Sequence, residues 1–169
     1  MKKLIALFAA VVLVAGLSTT VNAQVTGTAT GSATIIAPIA IANAGNMNFG
    51  NIAVSATAGT VVLSNAGVRS ATGGVTLPAT TGTVATANFT VTGLGSSTYS
   101  IQLPSSYVIS DGASHSMTVN AFTSNPSGTG TLSSGTQTIN VGATLNVLGS
   151  QVAGTYTNAT GFPVIVNYN

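Results

Sequence analysis

Apolar and polar residues alternate with a period of two along most of the chain beyond residue 24. Phe89 and Val91 alternate with Thr90 and Thr92, and Tyr99, Ile101 and Leu103 with Ser100 and Gln102. Met117, Val119 and Ala121 alternate with Thr118 and Asn120. Ile139 and Val141 are flanked by Thr138 and Asn140, and Leu145 and Val147 by Thr144 and Asn146. At the end, Phe162, Val164, Val166 and Tyr168 share one parity, with Asn167 on the other. Successive side chains of a strand point to opposite faces, so each run predicts a strand with one buried face. Threonine suits the exposed face because its branched Cβ favours an extended backbone.

Turn-forming residues separate the runs: Ala44-Gly45-Asn46, Ala58-Gly59, Asn65-Ala66-Gly67, Gly73-Gly74, Gly93-Leu94-Gly95-Ser96, Asp111-Gly112, Asn125-Pro126-Ser127-Gly128 and Gly149-Ser150. They recur at intervals of roughly 8 to 20 residues, the rhythm of a single antiparallel β-sandwich. No apolar 3.6-residue period survives beyond one turn, and Thr, Ser, Asn and Gly are poor helix residues, so an all-β fold is expected.

The first residues follow a different plan. Met1-Lys2-Lys3 is basic, Leu4 to Gly16 is apolar, and Val21-Asn22-Ala23 forms a small-residue cleavage site before Gln24. This is the three-part layout of a secretory signal peptide over residues 1–23. The apolar run is shorter than the roughly 20 residues that span a bilayer, so no membrane span is expected after cleavage. The expected location is the periplasm in transit, then the cell surface or the medium. The remaining 146 residues suffice for one domain.

Charge narrows the function classes. Lys2, Lys3, Arg69 and Asp111 are the only formally charged side chains, so the chain from residue 24 keeps one Arg and one Asp. A phosphate-binding surface needs several Lys or Arg, so nucleic acid is not an expected partner. The inventory holds one His, no Cys and no Glu. A closed zinc site, thiol catalysis and a carboxylate pair therefore lack their residues, and no cofactor is expected. Asp111-Gly112-Ala113-Ser114-His115-Ser116 gathers the one Asp, the one His and nearby hydroxyls. A catalytic triad must converge on a rigid scaffold beside an oxyanion site, which six consecutive residues in a Gly-containing loop do not supply. The simpler expectation is a turn with His115 solvated, and no enzyme. Arg69 either bonds loop carbonyls or meets Asp111.

The near absence of charge also leaves sheet edges unprotected, because natural monomers commonly block edges with Lys or other charges. Either loops cap the edges or edge pairing is what the protein is for, and the second is expected. Residues 25–35 alternate without a break: Val25, Gly27, Ala29, Gly31, Ala33 and Ile35 on one face, Thr26, Thr28, Thr30, Ser32 and Thr34 on the other. The two in-line glycines weaken a self-supporting strand and admit close backbone approach in a shallow groove. The segment reads equally as an ordinary first strand or as one built for insertion.

The order of short motifs resembles that of archaic (Csu-type) chaperone–usher pilins of the spore-coat-U-like group. The start Val25-Thr26-Gly27 with its alternating continuation is similar to their donor strand. Gly45-Asn46-Met47-Asn48-Phe49-Gly50-Asn51-Ile52 is similar to the end of their first long strand, and Ser70-Ala71-Thr72-Gly73-Gly74 to a mid-chain segment. Gly154-Thr155-Tyr156 followed by Val164-Ile165-Val166-Asn167-Tyr168-Asn169 is similar to their close. The whole pattern, over roughly 33–169, also resembles a secreted bacterial domain-of-unknown-function family (4402) allied to those pilins. The chain departs from the pilin pattern in having no cysteine.

The resemblance implies a six-stranded, incomplete immunoglobulin-like sandwich over 37–169, completed by residues 24–36 of the next subunit. Val25, Gly27, Ala29, Gly31, Ala33 and Ile35 would then be the donor positions. It further implies a periplasmic chaperone paired along the final strand through Val164, Val166 and Tyr168, an outer-membrane usher, and other copies of the chain as fibre partners. The expected function is an exported structural subunit of a surface fibre, polymerising by donor-strand exchange, in adhesion or biofilm. The alternative is a monomeric secreted β-sandwich that binds a surface glycan or protein.

Overall fold

The computed structural model describes residues 23–169; the expected signal segment, apart from Ala23, lies outside the described residues. The chain divides into two units, Met1–Thr34 and Ile35–Asn169. The described part of the first unit is exposed and in no strand.

The second unit holds ten strands: β1 Ala40–Gly45, β2 Ala53–Leu63, β3 Arg69–Thr76, β4 Ala87–Thr92, β5 Thr98–Gln102, β6 Ser106–Ser110, β7 Ser116–Asn125, β8 Thr129–Thr131, β9 Thr136–Val147 and β10 Ile165–Tyr168. There is no helix among the described residues. All pairings are antiparallel. Seven strands form one sheet, and β10-β5-β8 form a second. The expected all-β sandwich is the architecture found.

Strand β9 is the axis of the large sheet. The two alternating runs at 139–141 and 145–147 are one strand, and its odd-numbered residues Ile139, Val141, Ala143, Leu145 and Val147 are all buried. Along one edge, β4 pairs with residues 136–141 and β2 with residues 143–147, and β7 runs along the other edge. The core divides accordingly. Around Ile139 and Val141, the residues Phe89, Val91, Tyr99, Leu132, Val164 and Val166 close a cluster between the two sheets. Around Leu145 and Val147, the residues Val61, Leu63, Val75, Met117 and Val119 form another, covered from the loops by Phe49.

Several local expectations are corrected. Ten strands are found where the resemblance implied six, and two stretches change sheets part-way. β5 and β6 are separated at Leu103-Pro104-Ser105, and β7 and β8 at Pro126-Ser127-Gly128. Proline donates no ladder hydrogen bond, which suits it to such breaks. Leu103 accordingly lies outside β5, and the closing strand is shortened to Ile165–Tyr168. Ala121 does not continue the buried face of Met117 and Val119. It adopts φ 48° where the β7–β9 register shifts, and it is exposed. One extra residue reverses the facing of everything after it, so Phe122 and Ser124 turn inward.

Ala58-Gly59 and Gly73-Gly74 are not turns between strands. They lie inside β2 and β3, where the register jumps between Val54 and Gly59. A Cβ on Gly74 would fall 1.9 Å from the Thr57 carbonyl oxygen, so only glycine fits against this bulge. The turns at Asn65-Ala66-Gly67, Gly93–Ser96 and Asp111-Gly112 fall between strands as expected.

Candidate functional site

The small sheet covers only the Ile139–Val141 end of β9. Over the other end lies an open groove of about 1220 Å³. Met117, Val119, Leu145 and Val147 form its floor, extended by Tyr107 and Ile109 of β6. One wall is the segment between β1 and β2 and carries Met47, Phe49 and Ile52. The other runs from Gln151 to Phe162, between β9 and β10. Neither wall is a continuous strand. Residues 46–52 hold an isolated bridge between Asn48 and Ala85, and residues 148–164 one between Thr157 and Ser110. The result is an apolar floor between two walls that carry no continuous strand.

Each wall is fixed at a definite point. Arg69, the one cation from residue 24 onward, reaches from the start of β3 to the first wall. Its Nη1 donates to the carbonyls of Phe49, at 2.5 Å, and Asn51, at 3.0 Å. Of the two roles open for Arg69, carbonyl binding is the one observed. Gly50 sits between these carbonyls at φ 70°, and a Cβ there would fall 2.9 Å from that nitrogen. Arg69→Ala should lower stability by about 1–3 kcal/mol by stripping a charged donor from two carbonyls. Urea unfolding checks this, and Arg69→Lys should recover only part, since an ammonium lacks the rigid planar fork. On the second wall Phe162 packs against Phe122, Tyr107 and Phe89, with ring centroids 4.9, 5.6 and 6.2 Å away.

Asp111 and His115 occupy the β6–β7 turn. The carboxylate accepts from the Ala113 and His115 backbone N–H groups, and its other oxygen lies 2.6 Å from His115 Nδ1. His115 keeps a solvent-exposed side chain, as expected, and is also held by Asp111, so the pair serves the turn. The His115 side chain, then the Ala113 N–H, hold the Asp111 carboxyl below its ordinary value near 3.8. A depressed carboxyl pKa stabilises the turn above the ordinary value, and that contribution disappears only as pH falls through the lowered one. An NMR titration of Asp111 should give a midpoint below 3.8, and His115→Ala should move it upward.

The expected site residues fall in three places. Val25, Gly27, Ala29, Gly31 and Ala33 lie in the first unit, with Ile35 at the start of the second. Val25 and Ile35 are 92% and 98% exposed. Gly27 and Gly31 have open space where a Cβ would stand. Val164 and Val166 are buried in the core, on or beside β10, an outer strand of the small sheet. Tyr168 has a further task. Its hydroxyl accepts from the Leu94 N–H at 2.7 Å and donates to the Ala37 carbonyl at 3.1 Å. Sequence reasoning passed over the groove floor and Arg69's carbonyl partners. The motifs Asn46–Ile52 and Gly154-Thr155-Tyr156 were the signals for the two walls.

Comparison with curated proteins and with solved structures returned no match. Residues 39–168 match the family described as a domain of unknown function, DUF4402. That match takes in all ten strands and both walls of the groove, and the chain belongs to this family.

Proposed function

We propose that the protein is an exported structural subunit of a surface fibre, in which residues 24–36 of one copy enter the groove of the next. The observation that carries this reading is the groove itself. It is an apolar floor on β6, β7 and β9, flanked by walls in no continuous strand, beside a chain whose leading segment alternates yet joins no strand. Donor side chains Val25 and Ile35 would contribute about 1.5–3 kcal/mol each on burial. Ala29 and Ala33 add less, and Gly27 and Gly31 allow close approach. Insertion of this kind is head-to-tail and does not close, so it propagates as a filament. The near absence of charge supports the reading, since exposed edges carry few gatekeepers. Resemblance to chaperone–usher pilins supplies the remaining partners, a periplasmic chaperone at β10 and an outer-membrane usher, and a role in adhesion or biofilm.

The test is electron microscopy and size-exclusion chromatography of the chain from residue 24 to 169. Filaments whose growth depends on residues 24–36 are expected. A uniform monomer at every concentration, with or without a chaperone, would overturn the proposal and leave the secreted monomeric binding module.

A further inference from the structure

The groove has a cover of its own. Between Ser150 and Thr157 the second wall holds a six-residue strap, Gln151–Tyr156, which meets the floor cluster at Tyr156. Both ends are anchored. The Ser150 N–H donates to the Ser55 carbonyl at 2.8 Å, and Thr157 exchanges two backbone hydrogen bonds with Ser110 at 2.8 and 2.9 Å. Beyond Thr157, Asn158 is held at its carbonyl by Tyr107 Oη and donates from Nδ2 to the Val108 carbonyl. Val152 to Thr155 are exposed, whereas the half-buried Tyr156 packs against the floor cluster.

The hydroxyl of Tyr156 is bonded within the strap. It donates to the Val152 carbonyl at 2.7 Å and accepts from Gln151 Nε2 at 2.9 Å. The ring therefore meets the floor through apolar contact alone, while its polar end travels with the strap. Such a unit lifts away without losing a hydroxyl hydrogen bond, and its apolar contact is replaceable by incoming apolar side chains.

We infer that Gln151–Tyr156 is a displaceable cover, which shields the groove floor in the free subunit through Tyr156 and yields to the donor strand of a second copy. This inference rests on the donor-strand reading above and adds its regulation: the cover slows entry without barring it.

The test uses the chain 24–169 at a concentration where it runs as a monomer, and a fluorescein-labelled peptide of residues 24–36. Anisotropy gives the rate of uptake. Tyr156→Ala should take up the peptide about fivefold faster, equivalent to about 1 kcal/mol in the barrier at 1.4 kcal/mol per tenfold. Circular dichroism and urea unfolding establish that the variant is folded. Should it not fold, Tyr156→Leu keeps an apolar side chain but removes most of the ring's contact with the floor, and a rate above that of the unaltered chain is expected there. Equal or slower uptake by the folded variants, with the unaltered chain binding peptide, would overturn the cover and leave the donor reading intact. Absence of uptake by the unaltered chain and both variants would overturn the donor reading, and the cover with it.

Discussion

Removing residues 24–36 should abolish filament growth while leaving the domain folded. The deleted segment belongs to no strand and ends before β1, so the two core clusters keep all their members. Its loss should change the urea midpoint little, because surface segments away from packed features usually contribute within about 0.5 kcal/mol. Polymerisation should respond in the opposite way. With no donor, each copy retains an empty groove and no means of filling a neighbour's. Negative-stain images should show no filaments where the chain 24–169 forms them, and added peptide of residues 24–36 should bind the shortened protein one to one. Replacing Val25 and Ile35 together with Asp tests the side-chain contribution. Two charges forced into an apolar groove should block growth as completely as the deletion, since an unpaired buried charge costs several kcal/mol. Filaments of unchanged abundance from either variant would show that the leading segment is not the joint.

The largest effect on folding is expected at Tyr99. It is fully buried in the cluster that joins the two sheets, and it reaches β9 through a 2.7 Å hydrogen bond from its hydroxyl to Gln137 Oε1. The same oxygen accepts the Thr131 N–H at 2.9 Å, so one glutamine ties β5 to the end of β8. Gly130 makes room for the ring: a Cβ there would fall 2.3 Å from Tyr99 Cζ. Tyr99→Ala should cost about 3–5 kcal/mol, the range for emptying an aromatic site in a core. A domain of this size has about 5–15 kcal/mol in total, so the variant should sit close to unfolding at room temperature. Tyr99→Phe should cost about 0.5–1.5 kcal/mol, because Gln137 Oε1 keeps one donor. Urea unfolding of the three proteins checks both values. A loss below 1 kcal/mol for the alanine variant would mean that the small sheet contributes little to the fold.

Much of this architecture was legible in the one-dimensional pattern. The period of two identified β4, β5, β9 and the first half of β7 with their buried faces, and the glycine-containing segments after β2, β4 and β6 marked real turns. It failed where one backbone irregularity altered the count. At Ala121 a bulge reversed the facing of Phe122 and Ser124, and at Gly73-Gly74 a turn-like pair proved to be the seat of a bulge. Both depend on what lies opposite: Gly142 and Val141 of β9 in the first case, Thr57 and Ala58 in the second. A local pattern carries no record of an opposing strand.

The site was less legible than the fold for the same reason. Alternation states which face of a strand is apolar, and it did so for Met117, Val119, Leu145 and Val147. It does not state whether another layer covers that face. The groove exists because residues 46–52 and 151–162, about 100 positions apart in sequence, stand on either side of it without becoming strands. By itself the chain therefore determined that it would form antiparallel sheets of mostly uncharged residues, with a leading segment of the same period. Only the tertiary structure decided that the small sheet would cover β9 along half its length, that Arg69 would pin one wall, and that Phe49 and Tyr156 from the loops would pack against the other half. Strand periodicity follows from the alternating geometry of each residue, whereas coverage depends on contacts between distant parts of the chain.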